Sequence, residues 1–286
     1  MSSFQVGTAL VLLAAVLWGT TGTTQALAPA GATPLAVGAL RLIVGSAFLL
    51  LLAWGRGRLH GGGRWPVWPT FLAAVSMAGY QLCFFAAVSL TGVAVGTLVA
   101  VGSSPILAGI LALLIWRQRP SPYWLLATGL AVSGVVLLAS GGGELTIHPG
   151  GLLLALATGL SYAVYVLSSK TLLLYQPPDR ATAVVFGLGA LCLTPVLFLS
   201  DLTWLTQPAG LLVALHLGVV TIGLAYLLFT QGLVKIPAAT AVTLSLAEPL
   251  TAALLGIFLL GEWLPPAGLL GIALLLAGLL WLARSG

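Results

Sequence analysis

The sequence predicts an all-α integral membrane protein whose ten transmembrane helices form two inverted repeats of five. The first observation is composition: 60% of the 286 residues are apolar and 5% are charged, whereas soluble domains carry about 25% charged residues. The second is the recurrence of apolar runs that reach the roughly 20 residues needed to cross a bilayer. The third is a similarity of the chain to itself at a constant offset of 144 residues.

Glycine, proline or charged residues divide the chain into ten apolar spans. The break at Thr91-Gly92 is short enough only for a tight turn between antiparallel helices. The first span resembles a signal peptide, but residues 1–5 contain no Lys or Arg and the apolar run is too long, so we expect it to be retained. The predicted spans are 5–27, 34–54, 67–89, 92–115, 122–140, 149–169, 181–199, 208–233, 237–260 and 265–283.

Basic residues occur in the loops of one side of the predicted bundle. Nine Lys and Arg residues lie on the side of the two termini, while the loops of the other side carry only Glu144, Asp201 and Glu262 as charged residues. The positive-inside rule therefore predicts that both termini are cytoplasmic. The nine basic residues are Arg56, Arg58, Arg64, Arg117, Arg119, Lys170, Arg180, Lys235 and Arg284.

An internal repeat relates the two halves of the chain. Matches of proline and glycine at the 144-residue offset carry weight because these residues, unlike leucine, are not expected throughout an apolar sequence. Five spans per half is an odd number, so the halves insert in opposite orientations, and we predict repeats over residues 1–142 and 145–286. Inverted repeats place their substrate sites near mid-membrane. The matching pairs include Pro105 with Pro249, Pro122 with Pro266, Gly45 with Gly189, Gly79 with Gly223 and Trp18 with Tyr162.

The ninth span contains a carboxylate, Glu248, directly before a proline, Pro249. An acid at the centre of a membrane helix costs about 2.5–3.5 kcal/mol on insertion scales, and a proline removes one backbone hydrogen bond. The repeat gives this pair a partner, Ser104-Pro105, in the fourth span. We therefore predict that both helices break near mid-membrane and that Pro105 and Pro249 act as hinges.

The chain resembles the EamA-type members of the drug/metabolite transporter superfamily. The resemblance is carried by Trp18-Gly19 in the first span, Arg41 in the second and the motif SLAEPLTAALLGIFLLGE in the ninth. It covers nearly the whole chain and implies a bacterial inner-membrane exporter of small metabolites, with exporters of aromatic and other neutral amino acids among the most similar members. The first half departs from the pattern, because Ser104 stands where the second half has Glu248.

Glu248 and Arg41 are the charged residues of opposite sign that are predicted within spans. Glu248 is interpreted either as a site for proton coupling or a substrate amine, or as a structural acceptor that holds the kink of its helix. The resemblance favours the structural role, because members with diverse substrates share this Glu. Arg41 lies at a depth similar to that of Glu248, so the two either pair directly or Arg41 extends toward the interface or helix-end carbonyl groups.

Ten further polar or aromatic side chains in the middle of spans are predicted to line a central substrate cavity. Polar groups within the membrane must face protein or water. Aromatic rings can stack on the side chain of a substrate while hydroxyl groups bind its charged ends. The alternative for each is packing or interhelical hydrogen bonding. The residues are Trp18, Thr20, Tyr80, Gln81, Ser103, Ser104, Tyr162, Tyr165, Tyr226 and Ser245, with Thr21 and Thr243 as close neighbours.

Several classes of protein are disfavoured. The sequence lacks HExxH, P-loop, GxSxG and paired-aspartate motifs, so a hydrolase or an ATP-driven pump is not expected. Cys83 and Cys192 lie inside spans without metal-ligand spacing, and we expect no metal, no cofactor and no nucleic-acid partner. A membrane-embedded enzyme would depend on Glu248 together with His216 of the eighth span.

We therefore expect a monomeric secondary transporter, surrounded by membrane lipid, that exports small neutral metabolites by alternating access around a mid-membrane cavity. Amino acids with apolar or aromatic side chains are the favoured substrates. Broad drug, metabolite or nucleoside efflux is the alternative. The direction of transport follows from the resemblance alone.

Overall fold

A computed structural model of the chain describes residues 2–59, 63–140, 148–261 and 263–284. It confirms the all-helical membrane architecture, with ten helices long and apolar enough to cross a membrane in these ranges. The predicted boundary between the repeats at 142–145 lies outside the described residues, as do His60, Glu144 and Glu262. The helices are α1 Ser3–Ala26, α2 Pro34–Gly55, α3 Val67–Gly92, α4 Val95–Trp116, α5 Pro122–Ala139, α6 Pro149–Leu172, α7 Pro178–Phe198, α8 Pro208–Leu233, α9 Ala238–Leu259 and α10 Pro266–Arg284.

Local sequence explains where the helices begin. At α1, the Ser2 hydroxyl accepts a hydrogen bond from the Gln5 amide while the Gln5 side chain accepts one from the Ser2 amide, which is a capping box. At α2, Thr33 caps the helix and Pro34 follows it. Proline suits the first turn because the amide it lacks has no partner within the helix there.

The turn between α3 and α4 is centred on Gly92. Its φ of 79° lies in a region that glycine adopts without steric cost. The predicted break at Thr91-Gly92 is confirmed. We call the side of the bundle that holds the start of α1 and the end of α10 the terminal side, and the other the opposite side. Gly92 therefore lies on the opposite side.

Glycines at repeat-related positions bring the two halves into close contact. A methyl group at Gly45 of α2 would lie 2.7 Å from the Gly218 carbonyl oxygen of α8, and one at Gly189 of α7 would lie 3.4 Å from the Ala74 carbonyl oxygen of α3. Positions 45 and 189, like 74 and 218, differ by 144 residues. The same contact is therefore made twice, with the roles of the halves exchanged, as an inverted repeat requires.

The helices exchange partners between the halves in the same way. Helix α1 packs against α8 and α9 of the second half, and α6 packs against α3 and α4 of the first. Pairs α2–α7 and α5–α10 join equivalent helices of the two halves. The core therefore lies along the interface between the repeats, with α1, α3, α4, α6, α8 and α9 nearest its centre.

Helix α9 is interrupted one turn before its proline. Helical segments Ala238–Leu244 and Ala247–Leu260 are separated by Ser245 and Leu246. Pro249 has no amide hydrogen for the Ser245 carbonyl, and the Glu248 amide donates to that carbonyl instead, at 2.9 Å. This shorter-range bond tightens the backbone into a 3₁₀-like turn.

The predicted break at Ser104-Pro105 is wrong. The backbone of α4 stays helical through Pro105. The Ser104 hydroxyl donates to the Ala100 carbonyl at 2.6 Å, and packing against neighbouring helices permits proline within a membrane helix. The repeat thus contains one interrupted and one continuous helix at equivalent positions.

Helix α8 contains a wider turn that the sequence did not lead us to expect. Residues His216–Leu224 form a π-helix between two α-helical segments. Such segments are frequent at functional sites. This one places Thr221 and Ile222 at the central cavity.

Candidate functional site

A small cavity lies at the centre of the bundle, between the two repeats. Its volume is about 40 Å³, which is room for only a few water molecules at roughly 10–15 Å³ each. Arg41, Glu248 and four of the aromatic residues predicted from the sequence line this cavity. The cavity is lined by Trp18, Thr21, Arg41, Tyr80, Ala100, Val101, Ser104, Tyr162, Thr221, Ile222, Tyr226, Ser245 and Glu248.

The two charged side chains of the cavity do not bond to each other. Arg41 donates from Nη2 to the Gln81 side-chain oxygen at 2.9 Å, and no ion pair joins it to Glu248 among the described contacts. The Arg41 Nε and the Gln81 side-chain nitrogen are buried without hydrogen-bond partners. The cavity therefore contains a guanidinium group and a carboxyl group that are not paired with each other.

Aromatic rings form a large part of the cavity wall. The Trp18 indole N–H donates to the Thr221 carbonyl oxygen at 2.8 Å, which fixes the ring against α8. The Tyr80 and Tyr162 ring centroids are 6.0 Å apart. The Tyr162 hydroxyl lies beside the Ser245 side chain but makes no hydrogen bond of normal geometry.

A cluster of packed rings closes the cavity toward the terminal side. The Trp18 ring lies 4.7 Å from Tyr226 and 5.4 Å from Phe229. Tyr226 lies 4.5 Å from Phe186, and Tyr165 lies 6.0 Å from Phe186. Edge and tilted contacts at these distances are favourable for aromatic pairs. We call these five residues the aromatic floor.

The opposite side of the cavity is less tightly packed. In α6, Tyr165, Ser169 and Leu172 are buried, whereas the repeat-related residues, Thr21 and Gln25 of α1 and Ala28 just beyond its end, are half-buried. Equivalent residues would be equally buried if the two ends of the path were closed to the same degree. The central cavity is therefore more tightly closed toward the terminal side than toward the opposite side.

The structure brings together most of the predicted site residues. Six of the ten predicted cavity residues line it, and Arg41 and Glu248 do so as well. The six are Trp18, Tyr80, Ser104, Tyr162, Tyr226 and Ser245.

Four predicted cavity residues lie elsewhere. Thr20 donates to the Leu17 carbonyl and lies 2.9 Å from His216. Gln81 accepts a hydrogen bond from Arg41 and does not line the cavity itself. Ser103 packs against Gly159 of α6, and Tyr165 belongs to the aromatic floor. Each of these residues lies at a depth similar to that of the cavity, but its side chain faces a neighbouring helix.

Other features bear on the remaining hypotheses. His216 contacts Thr20 and does not line the cavity with Glu248, so the pair on which an enzyme would depend is not assembled. Within the described residues, no group of His, Cys, Asp and Glu side chains has a metal-binding arrangement.

Four lining residues were not predicted from the sequence: Ala100, Val101, Thr221 and Ile222. The first two are small apolar residues, which nothing in an apolar span distinguishes from their neighbours.

In the described parts of the chain, ten membrane helices form two interlocked repeats around a polar and aromatic cavity, which is the architecture of an inverted-repeat membrane transporter. The chain belongs to the EamA-like transporter family, which it matches twice, over residues 5–140 and 149–284. Both matches avoid the segment between α5 and α6.

Similar proteins agree with this assignment. The "Uncharacterized transporter YwfM" of Bacillus subtilis is 51% identical over 276 residues, covering 96% of this chain and 93% of its own. The "Threonine/homoserine exporter RhtA" of Escherichia coli K12 is 30% identical over 274 residues, covering 94% and 88%. A crystal structure of another protein has a TM-score of 0.83 at 22% identity, covers 96% of this chain and 95% of its own, and shows the fold alone. The relatives named here are transporters, not enzymes.

Proposed function

We propose that this transporter exports small zwitterionic metabolites, above all amino acids with apolar or aromatic side chains. The observation that carries the proposal is the unpaired Arg41 and Glu248 on one aromatic-walled cavity. An α-amino acid has a carboxylate for Arg41 and an ammonium group for Glu248, and its side chain would lie against Trp18, Tyr80 and Tyr162.

Arg41 has a hydrogen-bond partner in the absence of substrate. Gln81 holds the guanidinium group in place, so Arg41 is positioned before the ligand arrives. Charge-assisted hydrogen bonds in a low-dielectric site contribute about 1.5–3 kcal/mol each, and two of them would distinguish a zwitterion from a simple amine or acid. The amino-acid export of the relative RhtA supports the same substrate class.

The cavity must enlarge for transport. At about 40 Å³ it is too small for an amino acid, so we propose that the path opens on the opposite side to release substrate and on the terminal side to load it. With the termini in the cytoplasm of a bacterial inner membrane, as the basic loops predict, this sequence of openings is export.

A counterflow screen tests the proposal. Purified protein in liposomes preloaded with unlabelled amino acid should accumulate the labelled form, with apolar and aromatic amino acids, threonine and homoserine in the panel. Accumulation of at least one amino acid above empty liposomes is expected. Counterflow of nucleosides or organic cations, without counterflow of any amino acid, would instead favour broad metabolite efflux.

A further inference from the structure

A second, larger cavity opens on the terminal side of the bundle. It has a volume of about 930 Å³ and lies between the α4–α5 connection of the first repeat and the α8–α9 connection of the second. It is separate from the central cavity, and the two have no lining residue in common. Its size is within the roughly 300–1,000 Å³ typical of sites for small ligands.

The rim of this cavity is basic. Arg119 and Lys235 are exposed there, and neither has an ion-pair partner among the described residues. Lys170 also lines the cavity and donates to the carbonyl oxygens of Val234 and Ile236, at 3.1 and 3.0 Å. Within the described part of the chain, no acidic side chain lines the cavity. Its charge is therefore complementary to an anion.

The wall below the rim is apolar and reaches into the membrane. Gly109 and Trp116 both line the cavity, and seven residues of helix correspond to a depth of about 10 Å. Ala112 and Trp124 complete this wall. A matching ligand has a negative head and an apolar chain. A zwitterionic amino acid matches poorly, because its ammonium group would meet basic side chains without a carboxylate.

We propose that this cavity binds an anionic phospholipid. Its phosphate would lie between Arg119 and Lys235, and one acyl chain would lie along Trp116, Ala112 and Trp124, whose ring covers Gly109. Basic pockets between membrane helices bind anionic headgroups in this way. The lipid would touch both repeats on the terminal side, toward which the central cavity is closed. This site does not depend on the identity of the transported substrate.

Lipid retention tests the proposal directly. The protein is reconstituted in nanodiscs of phosphatidylcholine with a minor fraction of phosphatidylglycerol, then extracted in mild detergent, and its bound lipid is measured by mass spectrometry. Each basic residue near an anionic headgroup contributes about 1 kcal/mol, or roughly fivefold in affinity. The double variant Arg119→Gln/Lys235→Gln should retain roughly 25-fold less phosphatidylglycerol.

Matched variants separate a site from general surface charge. Arg56→Gln/Arg284→Gln removes the same charge from exposed terminal-side positions outside the cavity, and it should retain lipid as the unmodified protein does. Arg119→Lys should restore retention relative to Arg119→Gln. Equal loss in the two double variants would overturn the proposal. So would competition by glycerol phosphate as strong as that by phosphatidylglycerol, because it would assign the cavity to a soluble anion.

Discussion

At the scale of residues, the candidate site depends on a guanidinium group and a carboxyl group that are not paired with each other. The side-chain oxygen of Gln81 accepts a hydrogen bond from Arg41, and no ion pair joins the guanidinium group to Glu248 among the described residues. The sequence indicated that both charges are buried at similar depth but left open whether they pair. Pairing depends on side-chain direction, which a residue's position along its helix does not determine.

Removing either charge should impair transport. Glu248→Gln and Arg41→Gln each remove one charge-assisted hydrogen bond to the substrate, so we expect losses of roughly 10- to 100-fold in initial counterflow rate. In the double variant the loss should be smaller than the product of the single losses, because one ligand bridges both residues. Rates are measured in liposomes with equal protein content. Losses that multiply would show that the residues act independently.

Some lining residues were predictable and others were not. Trp18 and Tyr162 stood out as repeat-related aromatic residues in mid-span, and both line the cavity. Thr20 and Ser103 have similar depth and chemistry yet face neighbouring helices. Membrane helices are apolar on all sides, since lipid and protein interiors both accept apolar groups. The direction of a helix face is therefore poorly encoded in such a sequence.

At the scale of elements, the repeat predicted the helices better than their irregularities. Glycine and proline marked the helix ends, because both act through backbone geometry that is local in sequence. The interruption of α9 at Ser245 and the continuity of α4 at Pro105 differ although the prolines are equivalent. The difference depends on which backbone groups find partners, and the π-helix of α8 likewise has no local sequence signal.

We expect Pro249→Ala to act on transport more than Pro105→Ala. Alanine at 249 supplies an amide for the Ser245 carbonyl, which favours a continuous helix by about 1 kcal/mol, or roughly fivefold in population. If the interrupted α9 is needed for opening, the counterflow rate falls by a similar factor while thermal stability does not fall. Helix α4 is already continuous, so Pro105→Ala is the matched control. A larger loss in the control would contradict the hinge at Pro249.

Close packing of α5 against α10 gives a second test at this scale. A methyl group at Gly134 would lie 2.7 Å from the Gly271 carbonyl oxygen, whereas Gly129 of the same helix has no neighbour within 4 Å. Overpacking costs typically about 1–3 kcal/mol. Gly134→Leu should therefore lower the melting temperature in detergent, and Gly129→Leu should leave it nearly unchanged. Equal melting temperatures for the two variants would show that α5 and α10 are not in contact.

At the scale of the whole molecule, the two repeats are related in sequence, but the central cavity is closed to different degrees toward the two sides of the bundle. The aromatic floor and the Thr182–Thr230 hydroxyl contact of 2.9 Å hold the terminal side together. At positions related to Tyr165, Phe186 and Tyr226, the first repeat has Thr21, Leu42 and Leu82, so three of the five floor rings have no aromatic counterpart there. Composition, span count and the 144-residue offset were enough to predict the architecture, but not which end is closed.

Labelling of single cysteines tests this asymmetry. In a protein carrying Cys83→Ser and Cys192→Ser, Thr21→Cys should react with a membrane-impermeant maleimide added outside cells, because this side of the cavity is loosely packed. Ser169→Cys, at a buried position of the terminal side, should not react from either face without substrate. Labelling of Thr21→Cys only from the cytoplasmic face would reverse the predicted orientation.

The central claim is that Arg41 and Glu248 together select a zwitterion. The most direct measurement is inhibition of amino-acid counterflow by three analogues of one substrate: the amino acid, its decarboxylated amine and its deaminated acid. We predict that the amino acid inhibits at least about tenfold more strongly than either analogue, since each analogue loses one charge-assisted hydrogen bond. Equal inhibition by the amine or the acid would contradict the claim.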